Sequence, residues 1–584
     1  MRLLFIILFI FFINKAVTQR HDFMWLAGDN FVIAVDSLLG SLVLDFNSEN
    51  GNPRYTYSSK FAFQYNYGSQ ICDHSGKLRY NYTGDFLEDH RHLPVSGYQQ
   101  ICETNNSCGI DPQSTLFLPS VNGKDYLIFT GKWKPIGDTE VVGFYFEDLS
   151  YHRIQYDDKA DSSIVGPKIN IIRDSIDLGR LTACRHANGR DWWILTGRFN
   201  RPEIYTIQLS KDSVSRIFKQ SVNKFNDFGN RGFACFSPDG KYYCVTSKEN
   251  DEKQGFGRVE FYQFDRCEGI LSNRQISQLD SLESGEVGCA FSSNSHYLFL
   301  STWHYLYRYE IVDGSLQNRQ VIAEYDGKPG YLFNNQYGRT NFGSLQLGPD
   351  HRMYMNSDFI QTRYLHIINN PDSDDDVEFV PRANYLKAVI QTIPMHPHYR
   401  LGPIDNSICD SLGIDNIPWC WWRYQQDSVD PFCIHFTDLS MYDVKEWQWE
   451  FGDGTIGNKQ TTEHCYNQKG IYTVCLIVRN ENGADTLCRT INLNITNSQD
   501  LASIMNLEVF PNPSSGVTLV NINHYNPFRM NANIYNFFGE KLLTQRVYQG
   551  SNVVDLSDFK NGIYIINVID DGRLMGSTKL IINK

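Results

Sequence analysis

Short strands of alternating apolar and polar residues, each opened by a polar turn, recur along the first four hundred residues of this chain. Turn and strand occur together as Asp73-His74-Ser75-Gly76-Lys77-Leu78, Val121-Asn122-Gly123-Lys124-Asp125-Tyr126-Leu127 and Ala187-Asn188-Gly189-Arg190-Asp191-Trp192-Trp193. They return as Pro238-Asp239-Gly240-Lys241-Tyr242-Tyr243, Ser293-Asn294-Ser295-His296-Tyr297-Leu298 and Pro349-Asp350-His351-Arg352-Met353-Tyr354. Aligned on Lys77, Lys124, Arg190, Lys241, His296 and Arg352, the steps are 47, 66, 51, 55 and 56 residues. Repeats of this length mark solenoids or propeller blades, and a four-stranded blade of about 40–50 residues fits the spacing. Several units close on an outer strand and a second turn, as in Leu306-Tyr307-Arg308-Tyr309-Glu310-Ile311-Val312-Asp313-Gly314. A seventh unit is expected from Met24–Asp45, with strands at 31–36 and 42–46. No sustained helical period competes beyond the N-terminal segment, so the fold class is all-β. Residues 19–403 are expected to form a β-propeller of six or seven blades, with N- and C-terminal strands sharing one blade. A stack of sandwiches is the alternative.

The N-terminus reads differently. Arg2 precedes an unbroken apolar run from Leu3 to Ile13, and Ala16-Val17-Thr18 offers a cleavage point before Gln19. A charged start, a short apolar core and small residues make residues 1–18 a signal peptide. Eleven apolar residues fall short of the roughly 20 that span a bilayer. No later segment reaches that length and no cysteine follows the cleavage point, so the expectation is an exported protein without a transmembrane segment or lipid anchor.

Charge narrows the partners. With 53 Lys+Arg against 66 Asp+Glu, the chain lacks the basic footprint that displaces counterions from phosphate, which excludes nucleic acid as the main partner. Fourteen cysteines in an exported chain read first as structural disulfides. Taking Asp239-Gly240 as the turn puts Cys235 opposite Cys244, at a Cβ separation of about 4.5–5.5 Å, slightly wide for a disulfide at about 3.8 Å. A strained bridge and a pair of core thiols are both open. Cys102 and Cys108 flank a short loop that a bridge could close. No C-x-x-C pair supports cysteine-bound metal.

Two C-terminal stretches carry resemblances. Trp447-Gln448-Trp449-Glu450-Phe451-Gly452-Asp453-Gly454 is followed by His464-Cys465-Tyr466 and by Gly470-Ile471-Tyr472-Thr473-Val474-Cys475-Leu476. This run resembles a PKD domain, an immunoglobulin-like β-sandwich, and would occupy residues 404–495 with its lead-in. The tryptophans before the Gly452-Asp453-Gly454 turn suit the core between two sheets. Asn482-Gly483 turns the chain, and Cys475 and Cys488 on the adjoining strands are candidates for a bridge, slightly out of register for a two-residue turn there. Further on come Pro511-Asn512-Pro513-Ser514-Ser515-Gly516, Tyr535-Asn536-Phe537-Phe538-Gly539, and Leu556 through Gly562-Ile563-Tyr564, with Lys584 at the end. In this order they resemble the C-terminal sorting domain, of type A, of proteins exported by the type IX secretion system of gram-negative bacteria. That resemblance implies a small β-sandwich over residues 507–584, a linker at 496–506 where it is removed, and the type IX machinery as a partner. Trp25-Leu26-Ala27-Gly28-Asp29-Asn30, Leu116-Phe117-Leu118-Pro119-Ser120 and the stretch from His398 to Asp405 resemble the propeller region that precedes PKD domains in secreted proteins of this kind.

Chemistry is harder to find. The chain has no G-x-S-x-G elbow, no H-E-x-x-H, no Walker loop and no G-x-G-x-x-G after a strand, so no catalytic residue is assigned. His90/His92 and His396/His398 have the i, i+2 spacing that puts two rings on one face of a strand, against a reading as solvent-facing loop histidines. Asp372-Ser373-Asp374-Asp375-Asp376 supplies oxygen ligands for Ca²⁺ without the glycine and glutamate of a defined loop; otherwise no cofactor or metal is expected. Trp419, Trp421 and Trp422 bracket Cys420. Alternation suggests that at least one of Trp421 and Trp422 is exposed for sugar stacking, but core or interdomain packing is the favoured reading. The leading expectation is a secreted or cell-surface binding or adhesion protein, with an extracellular glycan or protein as ligand on the propeller face and the PKD domain as spacer. An exported hydrolase or lyase with its site in the propeller channel is the alternative, and a structural component of the surface or gliding machinery is a third.

Overall fold

The computed structural model describes residues 19–28, 41–58, 68–84, 86–101, 113–135, 144–221, 232–250, 255–279, 288–331, 337–357, 362–390, 392–427, 430–493, 506–523, 530–536, 538–547, 550–570 and 573–584. The signal segment, the strand expected at 31–36 and the Cys102/Cys108 loop lie outside them. Among the described residues every regular element except a single 3-10 turn at Tyr98–Gln100 is a strand.

Seven antiparallel sheets of three to five strands follow one another over residues 24–390. The fourth is typical: Thr182–Arg185, Trp192–Gly197, Glu203–Ser210 and Ser213–Ser221 pair in sequence order. Its second strand is buried on both faces up to Thr196, while its outermost strand alternates toward solvent. Sheets stacked face to face cover both sides of their inner strands, which removes the alternation there. All six turns that set the sequence period hold a left-handed residue just before the aligned position: Gly76, Gly123, Gly189, Gly240, Ser295 and His351, with φ between 62° and 89°. That shared geometry is why the repeat was visible.

The first strands of the first three sheets lie side by side, as do those of the fourth to seventh. Those of the fourth to seventh sheets, Thr182–Arg185, Ala234–Phe236, Gly288–Phe291 and Leu345–Leu347, converge on one small void. The first and seventh sheets share a core in which Trp25, Leu42 and Leu44 meet Tyr354, Leu365 and Ile367. Among the described residues no strand is shared between the chain's two ends, contrary to expectation. Met24–Ala27, Ser41–Asp45 and Arg54–Ser58 form the first sheet by themselves, and Leu345–Ile390 supplies all four strands of the seventh.

Residues 422–492 form two packed sheets, with Trp422, Phe436, Trp449, Val474 and Leu476 between them. Residues 506–582 form a second pair of sheets around Val520, Ile534, Leu556, Ile566 and Leu580.

Strand register decides which cysteines bond. Cys433 and Cys465 are direct partners and bridged, as are Cys475 and Cys488. The register doubt over the second pair falls away because the turn is one residue earlier, with Asn480 opposite Gly483. Moving a turn by one residue moves every pairing by two. Cys235 and Cys244 are also direct partners, as the count from Asp239-Gly240 expected, yet both are thiols. The difference is parity. The amides of Ser237 and Thr246 donate to Tyr242 and Phe233, which makes Cys235/Cys244 a hydrogen-bonded pair, with Cα atoms about 5.5 Å apart. Tyr466 donates to Phe432, and Leu493 to Gly470, so both bridged pairs occupy non-hydrogen-bonded sites, where side chains approach more closely. A further bridge, Cys267–Cys409, ties the chain beyond the seventh sheet back to the fifth.

Candidate functional site

The axis onto which the first strands converge is filled by the chain itself. After the seventh sheet, residues 392–404 run through it as irregular chain with a turn at Tyr399–Arg400. The His396 amide donates to Gln346 Oε1 (3.1 Å), and the Tyr399 hydroxyl to the Phe117 carbonyl (2.9 Å). The Arg400 guanidinium pairs with Asp22, both buried. The Arg266 guanidinium donates to the Gly402 carbonyl, and the Ile404 amide to Ala187 (2.8 Å). What remains is a void of about 20 Å³ lined by Cys235, Cys289, Gln346, His396 and His398, room for about one water.

Burial sets the charge state of this connector. Burial opposes ionisation of Asp22, but the Arg400 guanidinium outweighs it and holds the carboxyl below its ordinary value. His21, His396 and His398 are each lowered to about 4, chiefly by burial. His396 and His398 are therefore neutral groups enclosed in the axis, not the solvent-facing loop histidines weighed from sequence. His90 and His92 lie in the turn after the strand Leu87–Asp89 rather than along a strand, so the i, i+2 geometry does not apply to them.

A larger opening lies on the flank, between the sixth sheet and the acidic run of the seventh. It has a volume of about 540 Å³ and is lined by Tyr297, Arg308, Glu310, Asn318, Gln320 and Asp374 among others. Tyr297, Arg308 and Glu310 share a sheet face because Tyr297 pairs with Glu310 and Arg308 is two residues away. Its polar groups are fixed by one another. Arg308 sits over the Tyr297 ring at 4.4 Å and donates to the Ser373 and Asp374 carbonyls and to Gln320 Oε1 (2.7 Å). The Tyr297 hydroxyl donates to Asp374 (2.6 Å) and is pushed up to about 12, first by burial and then by that carboxylate. Asn318 donates to Glu310 (2.6 Å) across a bulge in the outer hairpin. The sequence flagged Asp372–Asp376 as oxygen ligands. In the fold, Asp372 accepts from Ser293 and the Asn294 amide, and of the run Asp374 lines this cleft. Arg308 and Glu310 were passed over as ordinary positions of an alternating strand; a cation at an inward position of an aromatic strand was the available signal.

The tryptophans are not displayed. Trp419, Trp421 and Trp422 are at most 6% exposed, as the favoured reading of core or interdomain packing expected, and neither Trp421 nor Trp422 takes the exposed position that alternation alone suggested. Trp419 and Trp421 stack at 5.6 Å and receive Phe23 edge-on, with Arg20 and Arg489 over Trp421 at 4.4 and 4.5 Å. Trp422 turns the other way, into the following sandwich, where it meets Trp449. The tryptophans thus weld the first sheet to that sandwich. Asn52 also donates to the Tyr424 carbonyl, the Tyr424 amide to Asn50, and Arg489 to Ser48.

Within the sandwich, Trp449, Phe451 and Tyr466 are core, Tyr472 packs against Tyr466, and His464 stacks on Phe451 at 4.1 Å while bonding Asp453 (2.7 Å). Gly452 and Gly454 take left-handed φ in the turn. In the last domain the Asn512 side chain both donates to Lys579 and accepts from Ile581, copying a strand pairing. Gly516 accepts from Leu556, Gly539 closes the Asn536 turn, and Tyr564 donates to Lys560. The Lys584 amide bonds Asn561. Tyr535 lies on the strand Met530–Asn536, opposite Lys541 and Ile565, and Gly562 opens the strand that pairs with the last one. Pro511 and Pro513 flank Asn512 between the first two strands of this domain. Among the described residues one trio of metal-type ligands lies within reach of a common ion, Cys433, Glu463 and Cys465, and both its sulfurs are spent in a disulfide. No helix of the described residues is long and apolar enough to cross a membrane.

Residues 424–495 match the family of PKD domains, and residues 508–583 match the secretion system C-terminal sorting domain. No curated protein matches the chain. Among solved structures, the PKD1 domain of Vibrio anguillarum Epp is 21% identical, covering 13% of this chain and 94% of its own at a TM-score of 0.13. The PKD1 domain of the Vibrio cholerae metalloprotease PrtV is 20% identical, over 13% and 96%, at 0.12. A protein from Bacteroides uniformis described as a 6-phosphogluconolactonase is 12% identical, covering 82% of this chain and 98% of its own at 0.32. These likenesses are too slight to carry chemistry. The chain thus holds a propeller-like all-β region, a PKD domain and a type IX sorting domain, and its place is the cell surface or the medium outside.

Proposed function

We propose that this protein is an extracellular binding protein whose ligand sits in the flank cleft between the sixth and seventh sheets, not in the central axis. The observation that supports this reading is the contrast between the two openings: the axis is occupied by residues 392–404, with about 20 Å³ left, while the cleft offers about 540 Å³, within the usual range for ligand sites. Its lining is polar and held on strands. Glu310, Asp313 and Asp374 make it acidic, because three carboxylates outnumber the single guanidinium of Arg308 in its lining. Such a surface disfavours anionic ligands and favours neutral, hydroxyl-rich ones that donate to carboxylates and accept from amides, the chemistry of a neutral glycan. The PKD domain, fastened through the tryptophan junction, holds the binding region at a fixed attitude to the sorting domain's attachment point.

A glycan array probed with the mature protein, with turnover assays on each hit, tests the proposal. Saturable binding without turnover, lost at least tenfold in Glu310→Ala and Gln320→Leu at unchanged melting temperature, is the expected result. Binding that ignores both substitutions would move the site. Product release would make the protein an enzyme.

A further inference from the structure

We infer that Cys235 and Cys289 form a disulfide in the exported protein, joining the first strands of the fifth and sixth sheets, with Cys244 left as a thiol. In the structure these two sulfurs lie 3.3 Å apart, while all three cysteines are unbonded. Cys235 belongs to Ala234–Phe236 and Cys289 to Gly288–Phe291, neighbouring strands at the central axis.

Two observations single out this pair. Cys244, the register partner of Cys235, sits at a hydrogen-bonded position of its strand pair, whereas both bridged register pairs of this molecule occupy non-hydrogen-bonded positions. The sulfur of Cys235 instead lies 3.3 Å from that of Cys289 on the next sheet. The link would also be non-local, spanning 54 residues; closing a long loop restricts the unfolded chain more than a hairpin bond does.

The chemistry balances with a disulfide oxidant, the class available in an oxidising export compartment. The Cys289 thiolate attacks one sulfur of the oxidant and expels the other as a thiolate. Cys235 gives up its proton, attacks the mixed disulfide at the Cys289 sulfur, and releases the second oxidant thiol. Two protein thiols are oxidised and one oxidant disulfide is reduced to two thiols. Cys289 is fully enclosed once residues 392–404 occupy the axis, so this exchange belongs to the folding chain.

The test is a peptide map of the full-length exported protein, quenched in acid and alkylated under denaturing, non-reducing conditions. A cross-linked pair of peptides carrying Cys235 and Cys289, with Cys244 alkylated, is the expected result. Alkylation of both Cys235 and Cys289, or a Cys235–Cys244 link, would overturn the inference. Refolding the reduced full-length chain with oxidised glutathione provides the second readout. The same pair should appear in wild type and in Cys244→Ser, and be absent in Cys289→Ser, where Cys235 becomes alkylated. Should Cys289→Ser fail to fold, the wild-type map decides alone.

Discussion

Three histidines at the centre of this molecule, His21 buried and His396 and His398 partly buried, make it sensitive to acid. His21, His396 and His398 have pKa values near 4 in the fold, against 6.5 when free. Between those values the unfolded chain binds protons that the native state refuses, so the stability they contribute is complete above about pH 6.5 and falls as the pH drops toward 4. At pH 5 the loss is about 2 kcal/mol for each. Urea unfolding at pH 7 and pH 5 should show the folded state weaker at pH 5 by several kcal/mol, and His398→Gln should flatten the dependence; equal stability at both pH values would refute the burial argument. Side-chain amides act at the same scale. Gln70 both accepts from and donates to Leu26, and Gln113 does the same with Ala234. Each substitutes for a backbone strand partner between sheets. Nothing in the pattern of the sequence distinguishes these glutamines from surface ones.

At the level of elements, the turns that set the repeat also receive the connector. Gly189 has φ of 73°, and a β-carbon there would stand 2.6 Å from the Pro403 ring; Gly123, at the same point of another unit, has φ of 70° and open space around it. Gly123→Ala should therefore cost only the left-handed backbone term, about 1–2 kcal/mol. Gly189→Ala adds a displaced connector, about 1–3 kcal/mol more, and should make residues 404–416 susceptible to limited proteolysis. If both variants lose the same stability and neither is cleaved, the connector is not seated as described. The six hairpins were legible because each carries a turn signal and a strand of aromatic or aliphatic residues. The flank cleft was not, since Arg308, Glu310 and Asp374 come from two sheets some sixty residues apart, and only stacking brings them together.

For the whole molecule, the junction between the first sheet and the PKD domain governs how the parts move. Trp421 packs on Trp419, Phe23, Arg20 and Arg489 at once, so Trp421→Ala removes contacts worth about 3–5 kcal/mol. Calorimetry of the variant should separate the PKD transition from that of the propeller-like region, and scattering should show a larger radius; one unchanged transition would mean the junction does not couple them. The sequence by itself determined the strand class, the hairpin period, the PKD and sorting domains and the extracellular address. Each of these is carried by local turn chemistry and by motifs whose residues lie close along the chain. Tertiary structure alone decided that the axis is filled, that the tryptophans are a joint rather than a display, and which cysteines bond. Those outcomes depend on strand parity and on packing between distant segments, and a side chain at one point of the sequence carries no record of the neighbour that folding gives it.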